Sequence, residues 1–263
     1  MRVTVFGLGE AGSLIATDLT GAGVEVHGYD PAPVATPQGI TRHDRPMDAV
    51  TGSALILAAT AARDARQAFT QALDRIQDGS VYADVATAAP ELKADLAEQA
   101  SGRGIAFADV ALMAPVPGNG LSTPALASGP GAPRFANAVN PIGGRVTVLD
   151  GAAGEASARK LLRSVIAKGL TSLVIEGLEA ADAYGRQEWF WAHLVELITD
   201  ADEALLRRLV TGTEVHVERR LHEMEAARDF LTSLGVPPAM TSATVDVLRR
   251  VKTDGMPVAE PDS

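Results

Sequence analysis

The chain has 263 residues, no cysteine and a formal net charge of −10, with 46% hydrophobic and 21% charged residues. That length can bury a large core in one domain or two, and the missing cysteines exclude a disulfide, a thiolate nucleophile and a Cys-ligated metal. Residues 1–150 carry 10 basic and 15 acidic side chains and the rest 13 and 18, so each part nets −5 and no basic stripe is offered to nucleic acid or an anionic membrane.

In chain order, the first 150 residues alternate strand-like and helix-like patterns. Strands are predicted at 2–6, 24–29, 54–58, 80–84, 105–109 and 124–128, and helices near 11–20, 63–75, 90–101 and 131–138. Pro90 suits a first helical turn, where its missing N–H costs nothing. Such alternation of continuous apolar strands with helices indicates an α/β fold, a doubly wound parallel sheet covered on both faces. After about 152 strand signals stop and three helical stretches follow, 157–185, 188–209 and 215–235. The expected division is a nucleotide-binding domain at 1–152, an all-helical domain at 153–253 and a disordered tail at 254–263. The longest apolar run, "ALILAA" at 54–59, is far short of the ~20 residues of a membrane span. The N-terminal strand is broken by glycines within nine residues and is no signal-peptide core. A cytoplasmic protein is expected, with no membrane partner.

The stretch "VTVFGLGEAG" carries the first chemistry. Gly7, Gly9 and Gly12 form G-x-G-x-x-G between a strand and a helix. The first glycine permits the turn, the second lets backbone approach a pyrophosphate, and the third lets the helix pack on the strand. Free N–H groups at the helix start then face the phosphates, so Gly7, Leu8, Gly9, Glu10, Ala11 and Gly12 are predicted to hold a dinucleotide. The alternative is a purely structural corner. Asp30, 18 residues past Gly12, ends the second strand where a carboxylate binds ribose hydroxyls. It would repel a 2′-phosphate, and "PAPVATP" after it supplies no arginine, so NAD is expected, with NADP possible through Arg42 or Arg45. Ligands on such sheets bind at the carboxyl ends of the strands, which adds Thr60.

These motifs resemble those of the β-hydroxyacid dehydrogenases. "GLGEAG" is similar to the family's G-L-G-x-M-G, with Ala11 in place of Met. "DVATAAP" (84–90) resembles its D-x-S-T-x-x-P, which implies that Thr87 lies beside the nicotinamide ribose. "GEASARKLLRS" (154–164) resembles the segment carrying the catalytic lysine, which implies that role for Lys160. The C-terminal half resembles the subgroup with a phosphogluconate dehydrogenase NAD-binding C-terminal domain. The resemblance spans roughly residues 1–250 and implies a Rossmann-type N-terminal sheet, followed by an all-helical region closing over the nicotinamide. The implied activity is hydride transfer between a nicotinamide cofactor and a small hydroxy acid or its oxo form. Further positions also depart from the pattern: Met113 and Pro115 stand in the substrate loop that begins at Asp109, and Ser164 replaces an Asn. The chain is too short to be 6-phosphogluconate dehydrogenase itself.

Lys160 also has a case of its own. Only four of 23 basic residues are lysines (93, 160, 168 and 252), and burial can bring a lysine's pKa near neutrality, which arginine does not allow. A lysine snorkelling along an amphipathic helix is the alternative. His216, Arg219, Arg220 and Glu223 share one helical face by spacing. That face is read as solvated Glu–Arg pairing, or, more sharply, with His216 and Arg220 clamping an acidic small-molecule substrate. Trp189, Phe190 and Trp191 are read as core or dimer packing, with a pocket wall as the alternative. The five histidines show no metal spacing, and no metal is expected. The apolar helical part predicts a homodimer. Two rival functions remain: an imine reductase of the same fold, suited by the apolar Met113, and a non-catalytic dinucleotide-binding protein.

Overall fold

Val3, Val5 and Phe6 bury β1 (Arg2–Phe6) from both sides, and Gly7, at φ +82°, turns the chain into α1 (Glu10–Gly21). In this computed structural model residues 1–256 are described. There follow β2 (Glu25–Tyr29), β3 (Thr41–His43), α2 (Pro46–Val50), β4 (Leu55–Ala58), α3 (Ala65–Ala72), β5 (Val81–Asp84) and α4 (Pro90–Ser101). Then come β6 (Ala106–Leu112), β7 (Pro124–Ser128), α5 (Ala132–Val139) and β8 (Arg145–Val148).

The eight strands form one sheet in the order β3-β2-β1-β4-β5-β6-β7-β8. From β1 the winding proceeds outward in both directions, which makes the gap between β1 and β4 the switch point of a doubly wound sheet. Leu55 and Leu57 face a core with Val3, Val5, Ile15 and Leu19, while Ile56 faces Tyr82, Phe107, Phe69 and Leu96 on the other side. Both faces are thus covered, as the continuous apolar strands require. The sequence reading of a wholly parallel sheet fails at one pair: β7 runs antiparallel to β6. Only a loop with one short 3-10 turn at Gly120–Ser122 joins them, and a parallel return needs a longer crossover. The edge strands β3 and β8 were not anticipated. The helix expected at 63–75 has its ends wound as 3-10 turns, Ala62–Asp64 and Leu73–Arg75.

The described chain divides into two compact units, Met1–Arg163 and the part from Ser164 onward. The division falls inside α6 (Glu155–Ala183), later than the expected 152. The cause is local: Asp109 Oδ2 accepts hydrogen bonds from the N–H groups of Gly154 (3.0 Å) and Ser157 (2.9 Å), so the start of α6 is fastened to β6.

The second unit continues with α7 (Gln187–Thr199), α8 (Glu203–Ser233) and α9 (Ala239–Asp254). The stretch 188–209, read as one helix, is broken because Asp202 caps α8, accepting from Leu205 N–H at 2.7 Å. α8 runs on to Ser233 through a kink at His216 (φ −120°, ψ 24°). α9 was not recognised as a separate helix, and Asp254, assigned to the tail, is its last residue. Residues 257–263 of that expected tail lie outside the described residues. Small apolar clusters hold this unit: Ala180, Leu231 and Val236 in one, Leu221, Val245 and Leu248 in another. Among the described residues no helix is long and apolar enough to cross a membrane.

Candidate functional site

The three motif glycines divide their work as their geometry dictates. A Cβ on Gly7 would lie 2.4 Å from the Ala59 carbonyl oxygen, and one on Gly12 would lie 1.8 Å from the Gly7 carbonyl oxygen. Both positions therefore exclude any side chain, since β1, β4 and α1 meet there. A Cβ on Gly9 meets nothing within 4 Å. Gly9 is open toward solvent at the N-terminus of α1, which suits the approach of an anionic ligand to free backbone N–H groups.

Asp30 is tied to this turn. Its Oδ2 accepts from Leu8 N–H at 2.7 Å and its Oδ1 from Ala32 N–H at 2.8 Å. A carboxylate offers about four lone-pair positions, so one acceptor site remains on each oxygen. A cavity of about 430 Å³ opens beside it, lined by Gly7, Gly9, Asp30, Ala59, Thr60 and Gln67 among others. Thr60 Oγ1 is buried there without a hydrogen-bond partner. A cavity lined by a residue with an unpartnered hydroxyl, by a carboxylate with unused acceptor positions and by an open glycine fits a polyhydroxylated, phosphorylated ligand such as a dinucleotide.

Of the other expected site residues, Glu10, Ala11 and Gly12 open α1, and Leu8 is buried beneath the turn. Thr87 is exposed in the loop after β5, and Lys160 is half-buried in the second turn of α6. Met113 borders a separate hollow with residues of β7 and β8, away from the Asp30 cavity. The carbonyl of the exposed Pro115 accepts from Asn119 Nδ2 at 2.8 Å. Ser164, half-buried, begins the second unit. His216 is exposed at the α8 kink, which breaks the continuous face its spacing suggested. Arg220 turns back along α8 to Thr213 Oγ1 and the Leu209 carbonyl, and Arg219 pairs with Glu223 at 3.1 Å. His216, Arg219 and Glu223 line one shallow surface hollow, which does not include Arg220.

The sequence reading missed Lys93. It is fully buried in α4, with Nζ 2.9 Å from the Asp84 carbonyl oxygen, 3.1 Å from Asp84 Oδ2 and 3.6 Å from Asp109 Oδ1. Asp84 and Asp109 are register partners on β5 and β6. Asp84 also holds Ala86 N–H at 2.9 Å, at the start of the Thr87 loop. Asp109 accepts from Ser157 Oγ at 2.6 Å and from Ser128 Oγ at 3.2 Å. Burial pushes the Asp84 carboxyl above its usual range, and the Lys93 charge pulls partly against that. One lysine thereby joins the loop bearing Thr87 to the helix bearing Lys160. The available signal was a pair of aspartates at matching positions in neighbouring apolar strands, with a scarce lysine on the helix between them.

Residues 2–123 match the family model described as the NAD binding domain of 6-phosphogluconate dehydrogenase. The sheet unit carries an NAD-binding domain of this type. Residues 181–251 match a second model, the domain of unknown function DUF1932. Among solved structures, the chain is similar to an imine reductase from Myxococcus stipitatus in complex with NADP+, 19% identical, with 97% of this chain and 96% of that one covered and a TM-score of 0.82. A reductive aminase from Aspergillus terreus in complex with NADPH and ethyl levulinate is 20% identical over 97% and 94% of the two chains, with a TM-score of 0.79. A conserved protein of unknown function, described as structurally similar to 3-hydroxyacid dehydrogenases, is 25% identical over 96% of this chain and 97% of that chain, with a TM-score of 0.61. An uncharacterized 28.5 kDa protein of Methanothermus fervidus is 25% identical over 111 residues, 41% of this chain. That match spans 43% of the length of this curated relative. The fold is thus an NAD-binding, dehydrogenase-like one, and its structural neighbours include imine reductases and a protein structurally similar to 3-hydroxyacid dehydrogenases.

Proposed function

We propose that the protein is an NAD(P)-dependent oxidoreductase that transfers a hydride between nicotinamide and a small, acidic hydroxy acid or its oxo form. Two features of one sheet support this reading: a cavity at the carboxyl ends of its strands and, separately, a lysine-bearing helix fastened to β6. Gly9, Asp30 and the unpartnered Thr60 hydroxyl lie at the carboxyl ends of β1, β2 and β4. Asp109, beside the last residue of β5, fastens the start of the helix that presents Lys160. Bound nicotinamide would supply or accept the hydride. Lys160 is assigned the proton: its ammonium protonates the substrate oxygen during reduction, and its neutral amine accepts the hydroxyl proton during oxidation. Thr87 is assigned to the nicotinamide ribose, and Met113, Pro115, Ser164, His216 and Arg220 remain substrate-side proposals.

NAD is proposed over NADP because Asp30 keeps acceptor positions free for ribose hydroxyls and would repel a 2′-phosphate. A homodimer is proposed from the exposed apolar side chains of the helical unit, and a cytoplasmic location from the composition. Imine reduction is the second reading, favoured by Met113, which sets an apolar side chain where the resembled family has a carboxylate-binding serine.

The test is a turnover screen of hydroxy acids and imines with both cofactors, followed by Lys160→Met on the substrate found. We expect kcat to fall by at least ~10² while cofactor affinity stays within a few-fold. Near-wild-type turnover by the variant would remove Lys160 from the chemistry. No turnover of any substrate, with cofactor still bound, would favour the non-catalytic alternative.

A further inference from the structure

The segment after Asp30 reads "PAPVATP", and Pro31, Pro33 and Pro37 have no N–H to give. Such a loop has few N–H groups with which to close its own turns, and Val34 N–H donates to the Ala32 carbonyl at 2.8 Å. The missing donors come from Arg42 on β3, whose register partner is Gly28 on β2. Its Nη2 donates to the carbonyl oxygens of Asp30 (3.0 Å) and Ala32 (2.6 Å). Its Nη1 donates to the Val34 carbonyl and, at 3.4 Å, to Thr36 Oγ1. Alternate carbonyls at 30, 32 and 34 thus converge on one planar fork, a geometry that guanidinium matches and ammonium does not.

The consequence reaches the cavity. Ala32 is held from both sides, its carbonyl by Arg42 and its N–H by Asp30 Oδ1, while Asp30 Oδ2 takes Leu8 N–H from the glycine turn. We infer that Arg42 is a positioning residue that holds Asp30 in its hydroxyl-accepting orientation and so sets this site for a dinucleotide lacking a 2′-phosphate. An arginine close to the adenosine ribose would ordinarily be suspected of reading such a phosphate. Here its fork is engaged by four neutral oxygens. Swinging out would strip the Asp30 and Val34 carbonyls of this donor and leave that of Ala32 with the Val34 N–H alone. The inference rests on the cavity receiving the adenosine half of the cofactor.

The experiment titrates the full-length protein with NADH and with NADPH, by fluorescence, for wild type, Arg42→Ala, Arg42→Lys, Asp30→Ala and the Asp30→Ala/Arg42→Ala double variant. Wild type is expected to bind NADH more tightly. Arg42→Ala should weaken NADH roughly tenfold and NADPH by no more than that. Arg42→Lys, which keeps the charge and the fold, should behave like Arg42→Ala. In the Asp30→Ala background the Arg42 change should add little, because the arginine acts through that carboxylate. Selective loss of NADPH, full retention of NADH affinity by Arg42→Lys, or additive effects in the double variant would each overturn the inference. Wild type that binds neither nucleotide would instead overturn the cofactor reading on which it stands.

Discussion

In the sheet unit Lys93, Asp84 and Asp109 are essentially inaccessible to solvent and paired with one another, whereas along α6 and α8 Val165, Ile166 and Val215 stand 68%, 72% and 73% exposed. One region has enclosed a charged cluster, and the other has left apolar side chains uncovered. The contrast follows from architecture. An eight-stranded sheet with helices on both faces has room to bury a polar network and to pair its charges, although the Tyr82 hydroxyl beside it is left without a hydrogen-bond partner. Four helices with two small apolar clusters have more apolar surface than they can cover themselves.

Removing the lysine from the enclosed network should break the comparison most severely. Lys93→Met would leave two buried carboxylates side by side without a counter-charge, and we expect a loss of about 3–5 kcal/mol in denaturant unfolding. A loss under about 1 kcal/mol would mean that the cluster is not the closed unit its distances describe. On the uncovered side, light scattering at micromolar concentration should give twice the chain mass for wild type and the monomer mass for Ile166→Glu. A wild-type monomer would show that the exposed apolar side chains need no partner copy.

The smaller effect concerns a carboxylate inside the helical unit. Glu176 Oε1 accepts from the N–H and hydroxyl of Thr241 (2.9 and 2.6 Å), and Oε2 accepts from Met240 N–H at 2.7 Å. Burial raises its pKa, but these hydrogen bonds outweigh it and leave Glu176 below the ordinary glutamate range. A depressed carboxyl contributes stability that is fully present above its unfolded value and is lost as pH falls through the folded one. Glu176→Gln should therefore cost about 1 kcal/mol near neutrality, with the difference from wild type shrinking as pH falls below about 4.5. A difference that persists unchanged into acid would contradict this.

The same contrast explains what was legible in the sequence. Strands with continuous apolar runs, such as "LILA" and "VYAD", lie where their pattern predicts, and the glycine turn can be read from its spacing alone. The edge strands "TRH" and "RVTV" carry little signal because they are only three and four residues long, pair with a single neighbour and lack a buried apolar run. α9 has no local start signal: its first N–H groups are capped by Glu176, 64 residues upstream of Met240. Lys93 was missed for the same reason, since its burial depends on two aspartates on other elements. The break before α8 was legible in Asp202, an ordinary helix cap that was read through. Arg42 was legible only as a candidate for a 2′-phosphate; its engagement by the loop was not, because three of its partners are backbone carbonyls, whose positions a sequence does not display.

The most direct measurement of the central claim is the affinity of wild type and Asp30→Ala for NADH and NADPH. Wild type should prefer NADH. Asp30→Ala should weaken NADH by about 1.5–3 kcal/mol, the worth of charge-assisted hydrogen bonds to the ribose, and should erase the preference. Tighter binding of NADPH by wild type, or an NADH affinity untouched by the loss of Asp30, would contradict it.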